Sequence, residues 1–377
     1  MSPEDLPIID DLHGLFLSGR PLLDVRAPVE FAEGAFPGAV NLPLIDDLER
    51  HEIGTVYAES GQAAAVELGE QLVGGPDRAA RIARWEAYLR DHPDAVLYCF
   101  RGGMRSRISQ RWLFEHAGLR CPRVQGGYKA MRRYLLEQLD TLSGRCKPVV
   151  IGGRTGVGKT RLLQRCAAKI DLEDYAHHRG SAFGHHPEPQ PSQIDFENAV
   201  AVALLRQAYP DIRHFAVEDE SRNIGSRHVP PALFERLQQS PLVLLEVDIG
   251  QRIATTVQEY VHDSLASFRI AVGEANAYGH WADYLRSALQ RISRRLGGER
   301  YRAASRLLEQ ALMEHRSDPQ TTAHREWIRF LLVEYYDGMY NYQLEHKRDR
   351  IVFRGTQDEV LDYLHKTYGI ETAVPTV

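Results

Sequence analysis

The chain has 377 residues, 43 % of them hydrophobic and 26 % charged, with a formal net charge of −5. That length allows about two or three domains with sizeable cores, and the ordinary composition excludes disordered, low-complexity and collagen-like proteins. The longest apolar run, Ala199–Leu205, is far short of the roughly 20 residues a membrane-spanning helix needs. The acidic start has no signal-peptide pattern, and four cysteines make no disulfide framework, so a cytoplasmic protein without a membrane partner is expected.

In chain order, 21–25 (PLLDV) and 38–42 (GAVNL) read as strands, followed by a helical stretch carrying Ala63, Val66, Leu68, Leu72, Ile82, Trp85, Tyr88 and Leu89. The apolar run 95–100 (AVLYCF) suits a strand covered on both faces. Helical patterns occupy 106–117 and about 127–141. Ser143–Gly144 punctuates the chain, 147–151 (KPVVI) is a new buried strand, and 160–170 reads as a helix. Residues 177–193, rich in His, Gly and Pro, read as a long loop. A helix over 196–208, strands at 215–217 and 242–247, a nearly all-helical stretch over 252–345, a late strand at 351–353 and a last helix over 357–368 complete the pattern. Strands alternating with helices imply βαβ units and parallel sheets, an α/β fold. The expected division is 1–140, 141–255 and a mostly helical 256–377 that completes the second domain.

The charge is uneven. Residues 1–98 hold 18 acids against 7 Arg, a balance of −11; residues 99–165 hold 15 Lys and Arg against 3 acids, a balance of +12; the remainder carries −6. The basic block includes Arg101, Arg105, Arg107, Arg111, Lys129, Arg132 and Arg133. Such a block is either a set of solvated helix faces or a surface for a polyanion such as RNA.

A first chemical motif is Cys99-Phe100-Arg101-Gly102-Gly103-Met104-Arg105-Ser106, between a buried strand and a helix. Successive backbone N–H groups there turn toward one point and favour an anion. Cys99 is therefore expected to be a reactive thiolate that carries or attacks an anionic group, with Arg101 and Arg105 adding positive charge. Upstream, Asp24-Val25-Arg26-Ala27-Pro28-Val29-Glu30-Phe31 and Gly34-Ala35-Phe36-Pro37-Gly38-Ala39-Val40-Asn41-Leu42-Pro43, together with the cysteine loop, resemble a rhodanese domain over about residues 1–135. The resemblance implies that Cys99 holds a persulfide or its selenium analogue. The five-residue gap between Cys99 and Arg105 also matches the Cys-x5-Arg loops of phosphatases on the same fold, which leaves phosphate-ester chemistry open.

A second motif, Gly153-Arg154-Thr155-Gly156-Val157-Gly158-Lys159-Thr160, follows a strand and opens a helix, the context of a phosphate-binding P-loop. Gly153, Gly156 and Gly158 shape the cradle, Lys159 supplies a point charge and the Thr160 hydroxyl suits Mg²⁺. A diphosphate fits, as does ATP or GTP. Glu218, Asp219 and Glu220, after a strand, are candidates to hold Mg²⁺ or move a proton; as solvated charges at a strand end they would do neither. The pairs His177–His178 and His185–His186 lack metal-ligand spacing, so no zinc site is assigned; an anion- or RNA-contacting loop, with His178 and Arg179, fits them better.

A rhodanese-like part joined to a P-loop part resembles the tRNA 2-selenouridine synthase family over nearly the whole chain. Further matching segments are Gln125-Gly126-Gly127-Tyr128-Lys129, the stretch from Leu172 to Gly184, Gln190-Pro191-Ser192-Gln193, Glu218 to Gly225 and Tyr335-Tyr336-Asp337. The resemblance implies two steps at the wobble 2-thiouridine of certain tRNAs: geranylation of the sulfur from geranyl diphosphate, then replacement by selenium from selenophosphate. Cys99 would carry selenium, the P-loop would hold the departing diphosphate, and the basic block would bind tRNA. A selenophosphate-producing enzyme would be a further partner. The competing readings are a sulfurtransferase or phosphatase with a regulatory nucleotide-binding P-loop domain, and a non-enzymatic module in which nucleotide binding controls docking.

Overall fold

Strand–helix alternation builds two five-stranded, all-parallel sheets. The computed structural model describes residues 5–373, so the first four residues of the acidic start lie outside it. The contacts divide the chain into two units: residues up to 142 together with 192–206, and residues 143–191 together with those from 207 onward. Among the described residues no helix is long and apolar enough to cross a membrane.

In the first unit, β1 (Ile8–Ile9), β2 (Leu22–Asp24), β3 (Ala39–Asn41), β4 (Val96–Tyr98) and β5 (Arg123–Val124) lie in the order β1-β5-β4-β2-β3. Leu22, Leu23 and Asp24 face Val96, Leu97 and Tyr98 in register. The central strands are buried throughout, which is why 95–100 is a continuous apolar run. Leu23, Leu97, Trp85, Trp112 and Leu113 form the core. The two-residue β1 is too short to leave a periodic signal.

Ser192 and the helix Gln193–Gln207 up to Arg206 belong to this unit although the sequence places them after the P-loop. The reason is polar as well as apolar. Ala35 N–H donates to Asp195 (2.6 Å) and the Ala35 carbonyl accepts from Asn198 (2.6 Å), so the helix satisfies both backbone groups of a loop residue that would otherwise lack partners.

In the second unit, β6 (Lys147–Gly152), β7 (Lys169–Ile170), β8 (His214–Glu218), β11 (Leu242–Leu245) and β12 (Ile351–Gly355) lie in the order β12-β11-β6-β8-β7; β9 (Asn223–Ile224) and β10 (Arg227–His228) form a separate antiparallel pair. β6 is flanked by β8 on one side and β11 on the other, so the connections leave it in opposite directions. The crevice at its carboxyl end is where open α/β sheets bind ligands. Val149, Ile151, Ala216, Val243, Val360 and Leu364 fill one core. The helical residues pack around Trp281, Leu285, Trp327 and Phe183 and include two π-helical segments, Gln258–Asp263 and Leu332–Tyr336.

Two local expectations change. Ser143–Gly144 does not break the chain: the helix Gly127–Arg145 runs through both and ends before Cys146. The helix opened by the P-loop stops at Gln164, because residues 168–170 are drawn into the sheet, where Ala168 accepts from Ala216 N–H (2.9 Å) and Ile170 pairs with Val217.

Candidate functional site: a cysteine loop and a phosphate loop ringed by acids

Cys99 directly follows the buried strand β4 and is 3 % exposed. Its Sγ lies 3.2 Å from Ser106 Oγ, and that hydroxyl reaches the Gly103 carbonyl at 3.1 Å. The loop is braced by the Gln125-Gly126-Gly127 turn: Tyr128 N–H donates to the Cys99 carbonyl (2.9 Å) and Lys129 N–H to that of Phe100 (3.0 Å). The approach is backbone on backbone. A Cβ at Gly127 would stand 2.2 Å from the Cys99 carbonyl oxygen, and one at Gly102 would stand 2.6 Å from Gly126 N; both residues have positive φ, at 55° and 61°, which glycine alone adopts freely.

Two ion pairs set the surroundings. Asp24 binds Arg26 at 2.7 Å, both fully buried, and the Arg26 guanidinium lies 3.9 Å from the centre of the Tyr128 ring. Glu30 binds both Nη groups of Arg105. Burial would raise the Glu30 carboxyl, but Arg105, the Ala27 N–H and Arg50 outweigh it and hold it below the usual carboxylate range. Sequence reading placed Arg105 at the loop but gave Glu30 no task; its signal was the position of Glu30 in the matched segment. Arg101 is exposed and stacks near Phe100 (5.9 Å).

Of the residues expected to meet RNA, Arg107, Arg111, Lys129 and Arg133 are exposed. Arg132 is occupied by Glu197 and by Asn198 (2.8 Å). His178 is only 3 % exposed, and burial, with His185, His186 and Arg291 next, pushes it down to about 4, so it is neutral and out of reach of a phosphate. Arg179 donates to the Glu259 carbonyl at 3.1 Å.

The phosphate loop leaves β6 at Gly153 and turns through Gly156 (φ 81°) and Gly158 (φ 84°). Lys159 Nζ lies 3.4 Å from the Gly153 carbonyl, curled over its own loop. Glu218 ends β8 beside Ile151 of β6, and Glu220 follows. Glu173 comes from the short helix Leu172–Tyr175 after β7, whose N-cap Asp171 accepts from Asp174 N–H (2.9 Å) and from Gln164 (2.6 Å). Three adjacent strands thus deliver Lys159, Glu218 with Glu220, and Glu173 to one place. Asp219 does not join them; it pairs with Lys347 at 2.7 Å.

Burial would lower the Lys159 ammonium, but Glu218, Glu173, Glu220 and Asp219 outweigh it and raise it above its ordinary value. Burial raises all three acids and neighbouring carboxylates add to it: Glu173 well above the carboxylate range beside Glu218 and Glu220, Glu218 beside Asp171 and Glu259 against the opposing pull of Lys159 and Thr160, and Glu220 to about 7 beside Glu218. Among the described residues, the His, Cys, Asp and Glu side chains whose ligand atoms converge are Glu173, Glu218 and Glu220, not the histidine pairs. A cavity of about 850 Å³ opens beside the loop, lined by Gly158, Arg161, Asp248, Gln251, Thr255 and Thr356 among others.

Comparison with known proteins matches residues 146–369 to a family model described as the tRNA 2-selenouridine synthase AAA domain, and residues 9–134 to the rhodanese-like domain. A tRNA 2-selenouridine synthase of Bordetella bronchiseptica is 51 % identical, covering 94 % of this chain and 96 % of its own. Proteins of the same description from Cupriavidus necator and Aeromonas salmonicida are 52 % and 48 % identical, over 95 % and 97 % of this chain and 97 % and 98 % of theirs.

Proposed function

The chain belongs to the tRNA 2-selenouridine synthase family, and from that premise and its two loops we propose that it converts wobble 2-thiouridine to 2-selenouridine in tRNA by way of a geranylated intermediate. The tRNA sulfur attacks the first carbon of geranyl diphosphate. A C–S bond forms, the C–O bond breaks and diphosphate leaves. Residues 153–160 receive that diphosphate, with backbone N–H groups and the Lys159 ammonium stabilising charge as it develops. Alkylation turns a poor leaving group into a good one: the selenium of selenophosphate, held in the Cys99 loop, attacks carbon 2, the C–S bond breaks to release geranylthiol, and water then cleaves the Se–P bond to leave 2-selenouridine and phosphate.

The observation that carries this reading is the presence in one chain of a buried thiol in a glycine-braced loop and of a phosphate cradle, each at the carboxyl end of a parallel strand. The first suits a carried chalcogen and the second a diphosphate leaving group. Thr160 and Glu218 fit Mg²⁺, because they supply hard oxygen donors beside the cradle and Glu218 Oε1 is buried without a partner; the ion would neutralise the leaving diphosphate. Exposed Arg107, Arg111, Lys129 and Arg133 supply cations for tRNA phosphates. Selenophosphate has to come from an enzyme that makes it, which is the further protein partner of this reading; a tRNA substrate places the work in the cytoplasm. ATP and GTP have no part in these steps.

The test is reconstitution. Purified chain, tRNA bearing wobble 2-thiouridine and geranyl diphosphate should release diphosphate and yield geranylated tRNA without ATP or GTP. Added selenophosphate should then give 2-selenouridine and free geranylthiol. Selenium insertion with no geranylated intermediate, or a strict need for nucleotide hydrolysis, would refute the sequence of steps.

A further inference from the structure

The acids beside Lys159 are arranged more specifically than a charged strand end. One carboxylate oxygen each from Glu173, Glu218 and Glu220 lies within 4.8 Å of the others. These oxygens come from three points of the chain, brought together because β7 and β8 are neighbours, with Ile170 opposite Val217. Glu218 is 2 % exposed and its Oε1 has no hydrogen-bond partner. A buried carboxylate oxygen left unpaired is costly and marks a missing ligand.

The cover over the cluster points the same way. Gly180, with φ +63°, passes so close that a Cβ there would stand 2.2 Å from a Glu173 oxygen and 3.1 and 3.2 Å from those of Glu220. The loop leaves that space free of side chain. Asp219, by contrast, is neutralised by Lys347, so the acid that has a cation of its own stays out of the group. Three carboxylates face one ammonium, and a diphosphate in the cradle would add more negative charge. A cation of higher charge between them would favour the ionised form of carboxyls that burial disfavours, and would offset their repulsion of the anion.

We propose that Glu173, Glu218 and Glu220 are ligands of a divalent cation of the Mg²⁺ or Mn²⁺ class, seated beneath Gly180, and that this ion couples the acid cluster to the diphosphate. All three donors are hard oxygens, which select that class over zinc or copper. The new element is Glu173, which lies outside the phosphate loop and outside the strand-end acids and fixes the cation between two strand ends. The inference rests on residues 153–160 being a diphosphate cradle.

The test is Mn²⁺ binding to the full chain, read from the loss of the free-ion signal in electron paramagnetic resonance, with and without inorganic pyrophosphate and with Mg²⁺ as competitor. Wild type should bind Mn²⁺, Mg²⁺ should displace it, and pyrophosphate should tighten it, because linkage is reciprocal. Glu173→Gln, which keeps size and hydrogen bonding, should weaken Mn²⁺ at least tenfold; Glu220→Gln should do the same if Glu173→Gln fails to fold. Gly180→Ala should weaken it by crowding the cluster. Lys159→Ala should lose pyrophosphate yet still bind Mn²⁺. A Lys159→Ala chain that keeps its pyrophosphate affinity would refute the cradle alone. No Mn²⁺ uptake by wild type in either condition, or wild-type uptake by the glutamine variant, would overturn the cation site.

Discussion

Glu30 holds Arg105 through both carboxylate oxygens and both guanidinium Nη groups, with Nη2 to Oε1 at 3.0 Å. Residue 30 thereby fixes the last cation of a loop that begins at residue 99. Glu30 also caps its own helix by accepting from Ala27 N–H at 3.0 Å, so the helix Pro28–Glu33 and the cysteine loop are tied through one carboxylate.

Glu30→Gln should therefore cost about 2 kcal/mol of stability, since it leaves a largely buried guanidinium without its counter-charge, and should lower selenium incorporation at least tenfold while the chain still folds. Arg50→Ala is the control. Its Nε is 3.6 Å from the same carboxylate and its side chain is 47 % exposed, so the loss should stay under about 1 kcal/mol. Denaturant melts and selenium incorporation, measured on the same preparations, check both.

For tRNA, the exposed cations separate from the occupied one. Arg107→Ala, Lys129→Ala and Arg133→Ala should each weaken binding and reduce the slope of log affinity against log salt by about 1. Arg132→Ala should instead lower the melting temperature, because Arg132 holds Glu197 and Asn198. Binding titrations from low to moderate salt distinguish a lost phosphate contact from a lost fold.

What the sequence made legible was local. The cysteine loop and the phosphate loop are contiguous, and their glycines report backbone geometry directly. The buried strands showed as apolar runs. Glu173 was not legible as a partner of Glu218, because their meeting depends on the two-residue strand β7 lying against β8, and a strand that short has no period. Nor was the placement of 192–206 with the first unit, which turns on Asp195 and Asn198 meeting Ala35. The buried state of His178 escaped for the same reason: polar His-Gly-Pro text reads as loop, while the fold packs that histidine against His185, their ring centres 4.5 Å apart.

The helical region carries a pH dependence. His324 Nδ1 accepts from Trp327 Nε1–H (2.9 Å), so its proton sits on Nε2, which donates to His315 Nδ1 (3.1 Å). Burial, with His315 and His262 next, pushes His324 down to about 3. An unfolded histidine takes up its proton near pH 6.5, so between those values the unfolded chain binds more protons. This contribution is full above about pH 6.5 and falls below it, by up to about 1.4 kcal/mol per pH unit for one group. Glu220, raised to about 7, has the opposite sign: it favours the fold at low pH and loses that contribution as pH rises through 7. Between pH 5 and pH 7 the two contributions oppose each other, so the comparison is between chains: in denaturant titrations His324→Gln, which keeps an acceptor for Trp327, should lose less stability than wild type from pH 7 to pH 5. An equal loss in the two chains would show that His324 makes no such contribution.

The division of labour between the two loops is tested most directly by nucleoside mass spectrometry of tRNA from cells whose only copy of this chain carries Cys99→Ala or Lys159→Ala. With Cys99→Ala, 2-selenouridine should disappear while geranylated thiouridine persists. With Lys159→Ala, geranylated thiouridine should fall at least tenfold, and 2-selenouridine with it. A Cys99→Ala chain unable to geranylate, or wild-type levels of both nucleosides in either variant, would contradict the assignment of selenium to the cysteine loop and of the diphosphate to the phosphate loop.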